Sequence, residues 1–316
     1  MVTKFAFLPV PDFTLSPLSL FIDTLRLAGD EGDRSRRLNF DWQILGDAGL
    51  PIQSSCGLNV LPSKPISNPE GYDCIVVVGG LLKSNLDLGS KREDFLKRAA
   101  SLNIPLTALC TGSFVLAHYG LLNGYEASVS WFHIRDFRNL FPEVKARADR
   151  LFSIDRGRAT CAGGAGAADL AGHFAAEFLG SAAADKAARI LMLDRVRTIS
   201  DVQPVGDCFP DASNRAVKKA LLLMESNLGD TLGVLDIAAA LNLSRRQLER
   251  LFLSEIGIGP MAAYLMLRLE YAKSLLQRSD LPITEIGLQC GFTNSGHFGR
   301  TFKKKYGMTP SELRFG

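Results

Sequence analysis

Apolar and polar positions follow two different rhythms along this 316-residue chain. From Lys4 to about Gly180, short apolar runs are separated by amphipathic stretches: Phe5–Leu8 (FAFL), Trp42–Leu45 (WQIL), Cys74–Val78 (CIVVV) and Pro105–Leu109 (PLTAL). Runs so short and uniformly apolar predict strands buried on both faces of a parallel sheet. Between them, Leu15–Ala28 and Lys91–Leu102 have helical spacing. Strands alternating with helices predict an α/β domain, doubly wound around a mostly parallel sheet. Ala182–Arg197 also reads as a helix, with Ala187, Ile190, Leu191 and Val196 on one face. Thr198–Asn214 then loses the periodicity and carries two prolines and two serines, as a linker does. From Ala216 only helical periodicity remains. The expected organisation is therefore a domain over 1–195, a linker over 196–215 and an all-α domain over 216–316.

Within the all-α tail one pattern occurs twice. Asp236–Phe252 reads D-I-A-A-A-L-N-L-S-R-R-Q-L-E-R-L-F, and Glu285–Phe302 reads E-I-G-L-Q-C-G-F-T-N-S-G-H-F-G-R-T-F. Each passes from an acidic residue and Ile through a small residue, a tight turn and a polar N-cap into an amphipathic helix, which is the order of a helix-turn-helix unit. Ala238 and Gly287 are small where the two helices cross. Asn242-Leu243 and Gly291-Phe292 make the turns, and Gly291 is free to take a positive φ. Ser244 and Asn294 cap the second helices with their side-chain oxygens. Leu248, Leu251, Phe252, Phe298 and Phe302 turn inward. That leaves Arg245, Arg246, Glu249 and Arg250 outward on one helix, and Ser295, His297 and Arg300 outward on the other. An arginine so placed reads guanine bidentately in the major groove. Any surface helix can display several arginines, so a single copy discriminates poorly. Two copies, with Arg250 and Arg300 fifty residues apart and a long helical stretch Pro260–Leu276 between them, are far more specific.

Composition sharpens this picture. A hydrophobic fraction of 47% with 22% charged residues is that of a soluble globular chain long enough for two cores. The net charge of +3 is unevenly spread: Ala216–Gly316 holds 13 Lys and Arg against 9 Asp and Glu, and the rest holds 23 against 24. The positive balance lies where a polyanion would be met. No run of about 18 apolar residues predicts a membrane span. Pro9 and Asp12 interrupt the N-terminus before a signal-peptide core could form. The six cysteines, Cys56, Cys74, Cys110, Cys161, Cys208 and Cys290, show neither metal-ligand nor disulfide spacing, so no metal and no cofactor is expected, and a reducing cytoplasm fits.

The tail from about Ala216 to Phe315 resembles the AraC/XylS family of regulators. The resemblance runs through Gly257–Leu276 (G-I-G-P-M-A-A-Y-L-M-L-R-L-E-Y-A-K-S-L-L) and Tyr306–Arg314 (Y-G-M-T-P-S-E-L-R). It implies a rigid long helix that sets two recognition helices into successive major grooves, about 34 Å apart on one face of double-stranded promoter or operator DNA. Where the family carries an aromatic before its final Arg, Leu313 stands here. Lys303, Lys304 and Lys305 extend the second recognition helix as a phosphate clamp, or as a solvated helix end where cations are favoured anyway.

Upstream the sharpest feature is Ala108–Gly112 (A-L-C-T-G), between an apolar strand and a helical stretch. A strand–Cys–helix turn with small neighbours is the geometry of a nucleophile elbow, and a helix N-terminus favours the Cys110 thiolate. The surrounding segments Val76–Gly80 (VVVGG), Ala108–Tyr125, Ser128–Trp131 (SVSW) and Thr160–Leu170 (TCAGGAGAADL) resemble the class I glutamine amidotransferase-like superfamily, in particular its PfpI-like branch fused to AraC-type tails. That implies a flavodoxin-like, amidotransferase-like fold. In hydrolytic members a His precedes the matching Trp; here it is Ser130. The fused regulators commonly carry His-Trp-Glu, against Ser130-Trp131-Phe132. Pro17 stands near the place of the acidic residue that stress-response members use. His118, within the helix after Cys110, and His133, expected near solvent, remain as substitutes.

Three readings of this domain stay open: a Cys110-dependent hydrolase or glyoxalase-like enzyme, a redox sensor at Cys110, and a non-catalytic pocket for a small-molecule effector. The pocket is the leading one, so the chain is not expected to be an enzyme. Open α/β sheets bind ligands beyond the carboxyl ends of their strands, here Gly79, Gly80, Cys110 and Thr111, with Trp131, Phe132, Gly164 and Ala165 close by. Amides opening the helices after Thr111 and Ala165 can hold an anion, or the glycines serve tight packing. The resemblance extends to fused regulators of arginine, carnitine and glycine betaine catabolism, and so implies an amino-acid-like or quaternary ammonium effector. Trp131, Phe132 and Phe13 would wall a cationic head. Homodimerisation, and RNA polymerase as a partner if the protein activates, are further implications of the resemblance.

Overall fold

Side chains alternate across a strand, so a strand buried on both faces feeds two cores, and the apolar runs do so here. The computed structural model describes residues 2–32, 34–82, 86–204, 206, 208–209 and 212–315. They fall into two compact units, Met1–Asp201 and Val202–Gly316. The first unit runs β1 (Thr3–Pro9), α1 (Leu15–Gly29), β2 (Phe40–Gly46), β3 (Ile52–Gln53), β4 (Asn59–Val60), β5 (Lys64–Pro65), β6 (Cys74–Val78), α2 (Ser90–Ser101), β7 (Leu106–Leu109), α3 (Gly112–His118), β8 (Glu126–Ser128), α4 (Ile134–Leu140), β9 (Lys145–Arg147), β10 (Phe152–Asp155), β11 (Arg158–Cys161), α5 (Gly166–Leu179) and α6 (Ser181–Ile190). Seven strands form one sheet in the order β10-β11-β7-β6-β1-β2-β5, parallel throughout except for β10 against β11.

Ala6, Leu8, Ile75 and Val77 enter one core beneath α2 and α3. Phe5, Phe7, Cys74, Val76 and Val78 enter the other, under α1 and α5. Phe21 of α1 meets Phe5 and Phe7 edge-on at 5.9 and 5.7 Å, a favoured aromatic geometry. Two expectations are corrected. Trp42–Ile44 of β2 are only part-buried, because β2 lies beside the two-residue edge strand β5. The helix expected to reach Arg197 ends at Ile190, which is exposed, because Met192 takes a left-handed φ of 57° that breaks the helical ladder. Val196 still packs against the core, but from beyond the helix. A Cβ at Gly172 of α5 would stand 2.8 Å from its Cγ1.

The segment that follows is pinned hard. Asp169, buried in the first turn of α5, accepts from the Arg197 backbone N–H at 2.8 Å and from its guanidinium at 3.0 and 2.7 Å. Arg195 and Thr198 both donate to Asp201, holding its carboxyl below the usual carboxylate range. Val205, Asp207, Pro210 and Asp211 of the expected linker lie outside the described residues. On its far side, Phe209 and Ala212 join the core of the second unit, and Glu255 accepts from Ser213 and Asn214.

The second unit is helical: α7 (Arg215–Glu225), α8 (Val234–Ala240), α9 (Arg245–Ile256), α10 (Pro260–Arg278), α11 (Ile283–Gln289), α12 (Ser295–Tyr306) and α13 (Pro310–Phe315). One core gathers α7, α8 and α9, and another gathers α11 and α12. α10 serves both, sending Ala263, Tyr264 and Leu267 into the first and Leu269, Ala272 and Leu276 into the second. No single helix among the described residues is long and apolar enough to cross a membrane.

Candidate nucleic-acid interface and effector site

Both predicted turns form. Asn242 and Gly291 take φ of 55° and 75°, and each is followed by an extended residue and a capped helix. Gly287 is small because a Cβ there would stand 3.2 Å from the Phe298 ring. Ser244 accepts from the Gln247 N–H at 3.3 Å, and the Gln247 side chain returns a bond to the Ser244 N–H at 2.8 Å. Asn294 accepts from the His297 N–H at 3.0 Å. The Ser-x-x-Gln spacing was a readable capping box that sequence reasoning passed over. So was an extension of the repeat: Gly257 and Gly307 end α9 and α12 in the left-handed conformation, and Pro260 and Pro310 open the helices that follow.

Leu248, Phe252, Phe298 and Phe302 are fully buried, which fixes the opposite faces outward. Ser244, Arg245, Arg246 and Arg250 are exposed on α9, with Glu249 half-buried and paired to Arg245 at 2.8 Å. A shallow depression along α9 is lined by Arg246, Glu249, Arg250, Leu253 and Ser254. Asn294, Ser295, His297, Arg300, Lys303, Lys304 and Lys305 are exposed on α12. The outer faces thus carry donors and positive charge, and the carboxylate of Glu249 is occupied by a neighbour.

In the first unit the strand ends converge as expected. Cys110 follows β7 with a φ of 56°, unusual for a residue with a side chain, and its amide donates to the Cys161 carbonyl at 3.1 Å. Thr111 donates to the Gly80 carbonyl at 3.0 Å, and Thr14 lies 3.9 Å from the Cys110 sulfur. The glycines here are packed. A Cβ at Gly79 would stand 2.2 Å from the Gly112 nitrogen, one at Gly80 2.0 Å from the Asp12 carbonyl, and one at Gly163 3.3 Å from the Cys110 sulfur. Gly164 and Ala165 are exposed at the start of α5. The first amides of that helix bond back to the carbonyls of Gly163, Gly164 and Ala165.

Four expectations for this site need correction. Burial pushes the Cys110 thiol up, outweighing the Thr111 amide and Thr14 beside it, so the thiolate is not favoured. Phe13 is fully buried, tied to Ser54 and Gly80, and cannot wall an open pocket. His133 is half-buried edge-on against Phe114 at 5.9 Å, and burial lowers its pKa. The anion-holding amides of α5 are largely spent on its own first turn. Trp131 and Phe132 are exposed and form a ring run with His133, at 5.8 and 4.8 Å, that leads onto Phe114 of α3. Cys161, a neighbour of Cys110 that the sequence did not single out, is buried, and its thiol is pushed up to about 12.

The sign for Cys110 is testable. A raised pKa leaves less thiolate at neutral pH, so iodoacetamide should label Cys110 more slowly than free cysteine at pH 7, with a midpoint at higher pH. Labelling faster than the free amino acid, read by mass spectrometry of the Cys110 peptide, would reverse this electrostatic picture.

Two family models match the chain, a "Helix-turn-helix domain" over residues 237–315 and the "DJ-1/PfpI family" over residues 32–169. The chain is 33% identical over 313 residues to the HTH-type transcriptional regulator GbdR of Pseudomonas aeruginosa, covering 98% of this chain and 83% of that protein. It is 30% identical over 328 residues to the HTH-type transcriptional regulator GlxA of Rhizobium meliloti, covering 99% and 96%. Among solved structures, an AraC family transcriptional regulator from Pseudomonas putida matches with a TM-score of 0.52 at 23% identity, over 60% of this chain and 99% of that one, a likeness of fold.

Proposed function

Because this chain belongs to the HTH-type transcriptional regulators in which a DJ-1/PfpI domain precedes an AraC-type helix-turn-helix domain, we propose that it binds promoter DNA through both α9 and α12 and is controlled by a small metabolite met at the Cys110 end of the sheet. Its class is that of a DNA-binding transcription regulator. The observation that carries the two-helix reading is the repeated frame of the second unit: two capped helices, each buried along one face by Leu or Phe, each presenting an arginine at the equivalent outward position.

In our reading the first unit senses rather than catalyses. Ser130 stands where hydrolytic relatives carry a base, and a thiol held neutral by burial is a poor nucleophile. The exposed ring faces of Trp131 and Phe132 suit a cationic head, which favours an amino-acid-like or quaternary ammonium effector. A homodimer in the cytoplasm, activating by contact with RNA polymerase, completes the proposal. The test is Cys110→Ala in the full chain, with DNA binding titrated in the presence of small nitrogenous metabolites that raise the wild-type melting temperature. Retained DNA binding and retained metabolite response are expected. Amidase or glyoxalase turnover by the wild type that vanishes in Cys110→Ala would replace the sensor with an enzyme.

A further inference from the structure

The two helix-turn-helix motifs do not merely share α10; the turn of the second touches the connection that leads into the first. A Cβ on Gly291, in the turn of the second motif, would stand 2.6 Å from the Leu228 carbonyl oxygen, 2.7 Å from Thr231 Cγ2 and 3.0 Å from the Gly229 carbonyl oxygen. Leu228, Gly229 and Thr231 belong to the connection from α7 into α8, the opening helix of the first motif. Only a residue without a side chain permits this backbone approach, and the left-handed φ at Gly291 asks for the same residue.

Both sides of the contact are fastened to α10, one helical turn apart. The Tyr264 hydroxyl donates to the Asn227 carbonyl and accepts from the Leu232 N–H at 3.4 Å, bracketing the first motif's connection. Arg268, four residues on, brackets the second motif's turn. Its Nε donates to the Cys290 carbonyl at 2.6 Å, and its guanidinium lies 4.2 Å from the centre of the Phe292 ring. Phe292 in turn packs against Phe298 and His297 of α12, at 5.1 and 5.7 Å. A guanidinium can donate in its plane and stack its flat face on a ring at once, whereas an ammonium meets a ring only as a point charge. Arg268 thus runs a chain of contacts from α10 through the turn to the recognition helix.

We propose that Arg268 is a positioning residue for DNA binding. With Tyr264 it clamps the Gly291 turn against the 228–231 connection and so fixes the spacing and phase of α12 relative to α9. The apolar core around Leu269, Ala272 and Leu276 already holds the second motif to α10. What the clamp removes is rocking of one motif against the other about the helix axis. This inference rests on the reading that both recognition helices enter the same duplex. Its consequence is that the protein demands one separation between the two halves of its site.

The test uses the full chain and a duplex that the wild type selects from a randomised library. That duplex is rebuilt with one base pair added or removed between its halves, and as each half alone. One base pair turns B-DNA by about a tenth of a turn, so the wild type should lose about tenfold or more in affinity for either altered spacing. Arg268→Ala should bind each half alone within about threefold of wild type, lose about tenfold on the parent duplex, and flatten the spacing preference to below about threefold, since two tethered sites gain from each other only when geometry allows both. Arg268→Lys should fall between the two. If Arg268→Ala keeps the wild-type spacing preference, or weakens both halves as much as the whole, Arg268 is a structural residue only and the inference fails alone. If the wild type selects an undivided motif, the two-helix reading fails and takes this inference with it.

Discussion

Replacing Arg250 and Arg300 together by alanine is expected to abolish sequence-specific binding while leaving the fold intact. Both side chains are exposed on helices whose opposite faces are buried, so neither contributes to a core. Each bidentate base contact is worth about 1–3 kcal/mol of discrimination. The two positions lie in different motifs, so their losses should add to about 2–6 kcal/mol, or roughly thirtyfold to twenty-thousandfold in affinity. Each single variant should relax specificity in a different half of the selected site. The salt dependence separates this from simple charge loss. Lysines 303, 304 and 305, if they meet phosphates, should each lower the slope of log affinity against log salt by about one while weakening all sequences alike. Titration of the wild type and variants against selected and scrambled duplexes decides the matter. A uniform drop over both duplexes for Arg250→Ala and Arg300→Ala would make these arginines phosphate contacts.

Arg197→Ala should be a strongly destabilising change to the first unit. It leaves the carboxylate of Asp169, only 1% exposed, without the guanidinium and its two bonds. Stranding one member of a buried pair costs about 3–5 kcal/mol, and the lower end applies because Arg197 is itself a third exposed. For a unit of this size about 3 kcal/mol corresponds to a fall of roughly 6–12 °C in Tm. Calorimetry of the full chain should show one transition moving down by that much, and Asp169→Asn combined with Arg197→Ala should cost much less than the sum of the two single changes. A shift below about 2 °C would mean that the pair offsets little more than its own desolvation. The same bond ties α5, whose start packs against Cys110 through Gly163, to the segment that leaves the first unit.

Most of the fold could be read from the sequence, for reasons specific to each segment. CIVVV and FAFL were legible as strands because burial on both faces removes any need for polar alternation. WQIL looked the same, yet only its neighbours in space, the short β5 on one side, decide how far it is covered. Ile190 and Val196 fit a helical wheel, but the break at Met192 depends on a left-handed backbone that no periodicity encodes. The outward faces of α9 and α12 were legible because the inward Leu and Phe positions fix the outward ones by geometry. The site around Cys110 was legible as a turn and misleading as chemistry. The helix dipole was inferred from order along the chain, whereas the burial that outweighs it comes from neighbours such as Gly163, brought against Cys110 by the sheet. Arg268 was invisible for the same reason: its partners Cys290 and Phe292 lie more than twenty residues away.

The double duty of α10 has a consequence for how this chain can change over time. Its buried residues are committed to different cores, Ala263, Tyr264 and Leu267 to one and Leu269, Ala272 and Leu276 to the other. Inserting or deleting one residue between them would rotate everything beyond it by about 100°. That would carry the second core and α12 round together, and pull the Gly291 turn away from Leu228 and Thr231. The helix therefore acts as a gauge block whose length is locked on both sides, and the loops, not this helix, are where insertions can accumulate. If related proteins come to recognise differently spaced sites, the adjustment has to fall on the DNA or on the pairing of two molecules.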